Sequence, residues 1–241
     1  RSTAFTSLLS SVGFDVYKLA GGYREYRRYV IDWMRNPVMP PYAFVIHGLT
    51  GTGKTDILRN IPASIDLESL AGHRGSVFGA IGTCPYSQKF FESGLMRRME
   101  DLAGMPYMVI EGESRKIGDI HLPEKILHCI TSCPGILVRA SMERRVEILM
   151  REYAGGFDVD QVIAIVRSLE GRLGKNAASH LVDLISRERM HEFIEFLLEK
   201  YYDPLYSHTL KRMNFIATVE NDSSERAAAH ITRIIGDYVG G

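Results

Sequence analysis

Gly48-Leu49-Thr50-Gly51-Thr52-Gly53-Lys54-Thr55 fits the spacing G-x-x-x-x-G-K-[ST], which suits a loop that holds phosphate. Its glycines let the backbone curl until successive N–H groups face one anion. A helix beginning near Lys54 adds its positive dipole end, the Lys54 ammonium reaches an outer phosphate, and the Thr55 hydroxyl is placed to hold Mg²⁺. Gly48, Thr50, Gly51, Thr52, Gly53, Lys54 and Thr55 are therefore the candidate ligand-binding residues, although the motif does not say which phosphate compound they hold. Farther along, Met108-Val109-Ile110-Glu111-Gly112-Glu113 ends an apolar run in a carboxylate, where a Walker B acid belongs; Glu111 would serve Mg²⁺ through water. Glutamate in place of the usual aspartate argues against strong ATPase chemistry.

Asp66-Leu67-Glu68 is followed by a stretch that interleaves glycines with His73, Arg74 and Ser76, a composition that reads as a binding loop. Arg74 and Ser76 could meet a phosphate, and His73 is either a proton donor or a solvated loop histidine. His73, Arg74 and Glu111 are the candidate catalytic residues. Arg115 and Arg139 follow two strand patterns, on the side of an α/β sheet where ligands gather, and join the binding candidates. Arg144 and Arg145 could likewise hold polyphosphate or tRNA, but they stand between Glu143 and Glu147, which equally suits a solvated helix face. Cys129 and Cys133 have no His or further Cys at ligand spacing, which argues against zinc.

The elements that must carry these residues can be read from periodicity. Residues 42–47 (YAFVIH) are a near-continuous apolar run, as in a parallel strand buried on both faces; 108–111, 135–139 and 215–219 are further strand candidates among helical segments. The alternation predicts a parallel α/β sheet. A helical subdomain is expected at about 155–203, inserted before the last strand. Residues 1–36 read as helix, strand (14–19) and helix, closed off by Pro37, Pro40 and Pro41, and are too few for a core of their own. The domain boundary is therefore set between 36 and 37, with the second domain running over 37–241. The chain has 241 residues with 29 Lys plus Arg against 29 Asp plus Glu, so net charge announces no polyanionic partner. No apolar run approaches the ~20 residues that would span a bilayer, and three cysteines cannot make a disulfide framework, which suits a cytoplasmic protein with no membrane partner.

Taken in order, GLTGTGKT, DLESLAGHRGSVFG, VIEGESRKIGDIHLP, LVRASMERRVEIL and YYDPLY resemble the P-loop domain of the tRNA 2-selenouridine synthases, over nearly all of residues 41–220. Residues 1–36 resemble the last third of the rhodanese domain that precedes it in that family. The fold implied is a P-loop NTPase-like parallel sheet with a helical insertion, preceded by a partial rhodanese-like segment. In rhodaneses the nucleophilic cysteine lies just upstream of the Arg-Ser that opens the corresponding helix, and here the sequence opens at Arg1-Ser2. The expectation is that the sequence was cut, or that a separate chain supplies the rest of the rhodanese domain.

The resemblance implies action on the wobble 2-thiouridine of tRNA: geranyl transfer to sulfur from geranyl diphosphate, then replacement of the S-geranyl group by selenium from selenophosphate. Phe78, Phe90, Phe91 and Leu95 are the candidates for a groove around the prenyl tail. Two alternatives stay open from the residues alone: a small-molecule or nucleoside kinase, and a non-catalytic tRNA-binding module of a split enzyme.

Overall fold

A computed structural model of the chain describes residues 2–153 and 158–241. Two helices come first, α1 (Ser2–Ser11) and α2 (Gly22–Arg35). The strand expected at 14–19 is not formed. A strand exists through hydrogen bonds to a neighbour, none of the described strands pairs with this segment, and Phe14, Tyr17 and Leu19 are left exposed. Helix α2 buries Val30 and Met34 and shares a core with three of the helices that follow it in the chain.

Beyond the prolines come β1 (Tyr42–His47), α3 (Lys54–Arg59), β2 (Ser64–Ile65), α4 (Leu67–Ala71), α5 (Gln88–Leu102) and β3 (Tyr107–Glu111). A small hairpin, β4 (Lys116–Ile117) with β5 (Ile120–His121), leads to α6 (Glu124–Ser132), β6 (Gly135–Arg139) and α7 (Met142–Glu152). Four more helices follow: α8 (Val159–Ser168), α9 (Glu170–Leu173), α10 (Lys175–Ser186) and α11 (Met190–Leu197). A π turn (Leu198–Tyr202) then passes into α12 (Asp203–Leu210), and the chain ends in β7 (Phe215–Glu220) and α13 (Ser224–Gly240).

The main sheet is parallel throughout, in the order β2-β3-β1-β6-β7. Central β1 alternates its side chains: Val45 joins the core under α2, α5 and α6, while Phe44 and Ile46 join the core under α3 and α13. The connection from β1 to β2 runs to one side of β1 and the connection from β3 to β6 crosses to its other side, so the C-terminal ends of β3, β1 and β6 frame a crevice. The helical insertion is present. Its expected start at 155 lies outside the described residues, and its helices continue through α12 to Leu210, past the expected end at 203, because Pro204 falls in the first turn of α12, where proline is tolerated. This part has its own core, built on Val162, Val166, Leu181, Leu184, Phe193 and Leu197. Phe78 and Ile81, from the loop after α4, are buried in it as well, which anchors that loop to the insertion. No helix among the described residues is long and apolar enough to cross a membrane.

Candidate functional site

The loop of residues 48–55 joins β1 to α3 at the C-terminal edge of the sheet. Gly51 and Gly53 have φ of 79° and 78°, the left-handed region that a side chain would strain. At Gly53 there is also no room: an added Cβ would lie 2.5 Å from the Asn221 amide nitrogen. That nitrogen donates to the Thr52 carbonyl at 2.8 Å, and the Asn221 backbone N–H donates to the Arg139 carbonyl at 2.7 Å. Asn221, wholly buried at the end of β7, thus braces the loop from beneath. Within the loop the Thr52 hydroxyl donates to the Leu49 carbonyl (2.9 Å) and the Lys54 ammonium to the Gly48 carbonyl (3.1 Å).

A group of carboxylates faces Lys54 and Thr55. The Thr55 hydroxyl donates to one Glu68 oxygen at 3.3 Å, and the Gly75 N–H donates to the other. The Glu68 N–H in turn donates to Glu111 Oε1 at 2.8 Å, while the second oxygen of the fully buried Glu111 has no partner. Burial, then the charges of Glu68 and Glu113, push the Glu111 carboxyl well above its usual range. Burial followed by Glu68 raises Glu113 to about 7 and Glu152 to about 7. His47, at the end of β1, is lowered to about 4 by burial and by nearby Lys54, so it is neutral at ordinary pH.

These shifts have a sign in stability. A carboxyl that holds its proton more tightly when folded stabilises the fold below its unfolded pKa, and that contribution disappears as pH rises through the folded value. His47 acts in the opposite direction, but only between about 4 and 6.5, so a comparison of pH 6.5 with pH 8.5 isolates the acids. The thermal midpoint of the chain is expected to fall by several degrees, on the order of 2–4 °C per kcal/mol lost, between those pH values. Glu113→Gln combined with Glu152→Gln should flatten the fall, as followed by thermal unfolding across the series.

Arg145 is the principal residue that sequence reasoning missed. It is buried, forks onto Asp203 at 2.9 and 2.6 Å, and donates through Nε to the Thr50 carbonyl at 2.9 Å, joining α7, the phosphate loop and α12. Arg144 pairs with Glu147 at 3.3 Å but is itself half-buried, so neither arginine forms the solvated face. The available signal was the Asp of YYDPLY, a charge set among aromatics. Arg74 lines the cleft, but its guanidinium is committed: it donates to the carbonyls of Ile81 (2.7 Å) and Glu152 (3.0 Å) and lies 4.9 Å over the Tyr153 ring. His73 is packed against Gly79 and Gly118 and does not line the cleft. Arg115 and Arg139 are exposed and also outside the cleft lining.

The cleft over the loop has a volume of about 540 Å³ and is lined by Lys54, Thr55, Glu68, Glu113 and Glu152 among others. Beside it lies a second cavity of about 50 Å³, walled by Phe78, Ile81, Val162, Phe193 and Leu197. Thr50, Ser76, Leu149 and Tyr153 line both, so the two lie side by side against these residues. The groove expected from Phe78, Phe90, Phe91 and Leu95 does not assemble. Helix α5 turns Phe91 and Leu95, four residues apart, into the core beside α2 and leaves Phe90 exposed; only Phe78 reaches an apolar cavity.

Among known proteins, the family model described as the tRNA 2-selenouridine synthase AAA domain matches residues 42–234. A protein of Pseudomonas syringae pv. tomato named tRNA 2-selenouridine synthase is 30% identical over 237 residues, covering 86% of this chain and 65% of that protein. Proteins of the same name from Cupriavidus pinatubonensis and Cupriavidus necator are 31% and 33% identical, over 83% and 86% of this chain and 63% and 64% of theirs. The chain therefore spans somewhat less than two thirds of the length of these relatives.

Proposed function

The chain belongs to the tRNA 2-selenouridine synthase family, and from that premise we propose that its cleft binds geranyl diphosphate and transfers the geranyl group to the sulfur of 2-thiouridine in tRNA. The observation that carries this reading is the adjacency of the phosphate-loop cleft and an apolar cavity, which share Thr50, Ser76, Leu149 and Tyr153 as lining. A ligand with a diphosphate at one end and a hydrocarbon at the other satisfies both. Adenine nucleotides would leave the apolar cavity without a partner.

In this reading the diphosphate lies against the backbone N–H groups of residues 51–55, with the Lys54 ammonium on its outer oxygens. Sulfur attacks C1 of the geranyl group, a C–S bond forms, and the C1–O bond breaks with its electron pair passing to diphosphate. The N3 proton of the thiouracil leaves for water. The loop N–H groups and Lys54 meet the charge that develops on the leaving group. The donor set also suits Mg²⁺: hard oxygens of Thr55 and Glu68 stand beside Lys54, with Glu113 in the same lining, whereas Glu111, the acid expected to serve the ion, is wholly buried and outside that lining. When bound, Mg²⁺ would supply further neutralisation of the leaving diphosphate.

Exposed Arg115 and Arg139 are proposed to meet tRNA phosphates. Residues 1–36 are read as the C-terminal part of a rhodanese-like domain whose remainder, in this or another chain, carries the cysteine for selenation by selenophosphate. The support is that α1 buries no residue and leaves Phe5 and Leu8 exposed, as is Val12 just beyond it.

Incubating thiolated tRNA with the chain and geranyl diphosphate, then analysing nucleosides by mass spectrometry, tests the proposal. S-geranyl-2-thiouridine is the expected product, and adding selenophosphate should give no selenouridine without a cysteine-bearing partner. Absence of the geranyl product together with brisk phosphate release from ATP would replace this reading with the kinase one.

A further inference from the structure

Helix α12 borders the cleft and buries none of its own residues. Tyr206, Thr209, Leu210 and Met213 stand three or four residues apart, so the helix and the turn after it bring them to one face, and all four line the cleft together with Lys54, Glu68 and Glu113. We infer that Tyr206 is a positioning residue for the RNA substrate, its ring stacking on the wobble thiouracil while Lys211 and Arg212 meet phosphates of the unpaired strand around it. The inference rests on the cleft being the site of transfer to 2-thiouridine and adds which side chain holds the base there.

Of the three tyrosines in YYDPLY, Tyr201 and Tyr202 are buried in the core of the insertion, whereas Tyr206 is 39% exposed and offers its ring to a ligand. Burial, followed by the charges of Glu113, Tyr201 and Glu68, raises the Tyr206 hydroxyl above its usual range, so the ring is neutral and lies near the acids that face Lys54. The fork of Arg145 onto Asp203, together with its bond to the Thr50 carbonyl, ties the start of α12 to the phosphate loop. Ring and loop are thereby held in one fixed relation, which a base and a diphosphate that must react across the cleft require.

Charge points to the same occupant. Residues 204–219 contain no carboxylate, and Lys211 and Arg212 are exposed between Leu210 and Met213 of the cleft lining. In a chain whose charges balance overall, this is a local excess of positive charge at the edge of the cleft. Unpaired RNA presents both things this face can use, a flat base for the ring and phosphates for the cations.

The test uses a synthetic RNA hairpin of the anticodon arm, with 2-thiouridine at the wobble position for affinity and the fluorescent base 2-aminopurine there for stacking. Tyr206→Leu is expected to bind the thiolated hairpin about tenfold more weakly than the wild-type chain, within the range that a base–aromatic stack is worth, and Tyr206→Phe to bind it as the wild type does. Emission of 2-aminopurine, which a stacked tyrosine quenches, should be lower in the wild-type complex than in the Tyr206→Leu complex. Lys211→Ala combined with Arg212→Ala should lower the slope of log affinity against log salt by about 1.4, two single-strand phosphate contacts' worth. Thermal midpoints should stay unchanged, because all three side chains are exposed. Affinity or emission that is the same in the wild-type chain and Tyr206→Leu overturns the inference, as do an unchanged salt slope and a wild-type chain that does not bind the hairpin. Failure of the underlying reading is distinct: the hairpin would then bind through Tyr206 while geranyl diphosphate bound neither with it nor without it.

Discussion

Lys54→Ala is expected to bind inorganic diphosphate at least about a hundredfold more weakly than the wild-type chain and to keep its fold. The lysine supplies the one side-chain cation of the loop, and the nearest acids make that cation indispensable. Without it, a diphosphate would approach Glu68, Glu113 and Glu152 with only backbone N–H groups in its favour. A hydrogen bond to a charged group is worth roughly 1.5–3 kcal/mol, and relief of the surrounding negative charge adds to it. The cost to the fold is small, because Lys54 is only partly buried and its ammonium makes a single hydrogen bond, to the Gly48 carbonyl. Removing the cation should also raise Glu113 further, since Lys54 is one of the influences holding it down. Titration with diphosphate, paired with circular dichroism, checks both halves. Unchanged affinity would remove the phosphate site from this loop.

Arg145→Ala is expected to cost the most stability, on the order of 3–5 kcal/mol, which for a chain of this size lowers the melting temperature by roughly 10 °C or more. Truncation strands the Asp203 carboxylate and the Thr50 carbonyl, both of which the guanidinium now satisfies from a buried position. Thr50 belongs to the phosphate loop and lines the apolar cavity, so diphosphate affinity should fall as well. Asp203→Ala should lose part of the same energy, and the double variant less than the sum of the two, because they share one interaction. Thermal unfolding of the four proteins gives the cycle. Additive losses would show that the fork is not what joins the loop to the insertion.

What the sequence displays of this site is what lies close together in it. The run at 42–47, the glycine spacing and Lys54 stand in consecutive residues, so strand, turn and helix start are legible at once. The acid at Glu111 is equally local. The residues that tie the loop down are not: Asn221 reaches Thr52 from the far end of the chain, and Arg145 meets Asp203 across the whole insertion. Periodicity carries no information about such pairs, and the flanking glutamates made Arg145 look solvated. Strand β2 is two residues long, too short for any alternation to show. Residues 14–19 hold strand-favouring Phe14, Val16 and Tyr17 without a neighbour to pair with, which is why the segment misled there. The apolar cavity draws its walls from the loop after α4, from α7, α8 and α11, and no window of sequence contains it. Phe78 was recognisable as apolar in a glycine-rich loop, and only the fold shows that it points into the insertion while Phe91 and Leu95 serve a different core.

The most direct test of the central claim is a crystal structure of the chain with a geranyl diphosphate analogue in which the bridging oxygen is replaced by sulfur, so that the ligand stays intact. The account predicts the diphosphate against the backbone of residues 51–55 and Lys54, with the hydrocarbon in the apolar cavity beside Leu149 and Tyr153. A tail lying outside the cavity, or a diphosphate bound away from the loop, would contradict it.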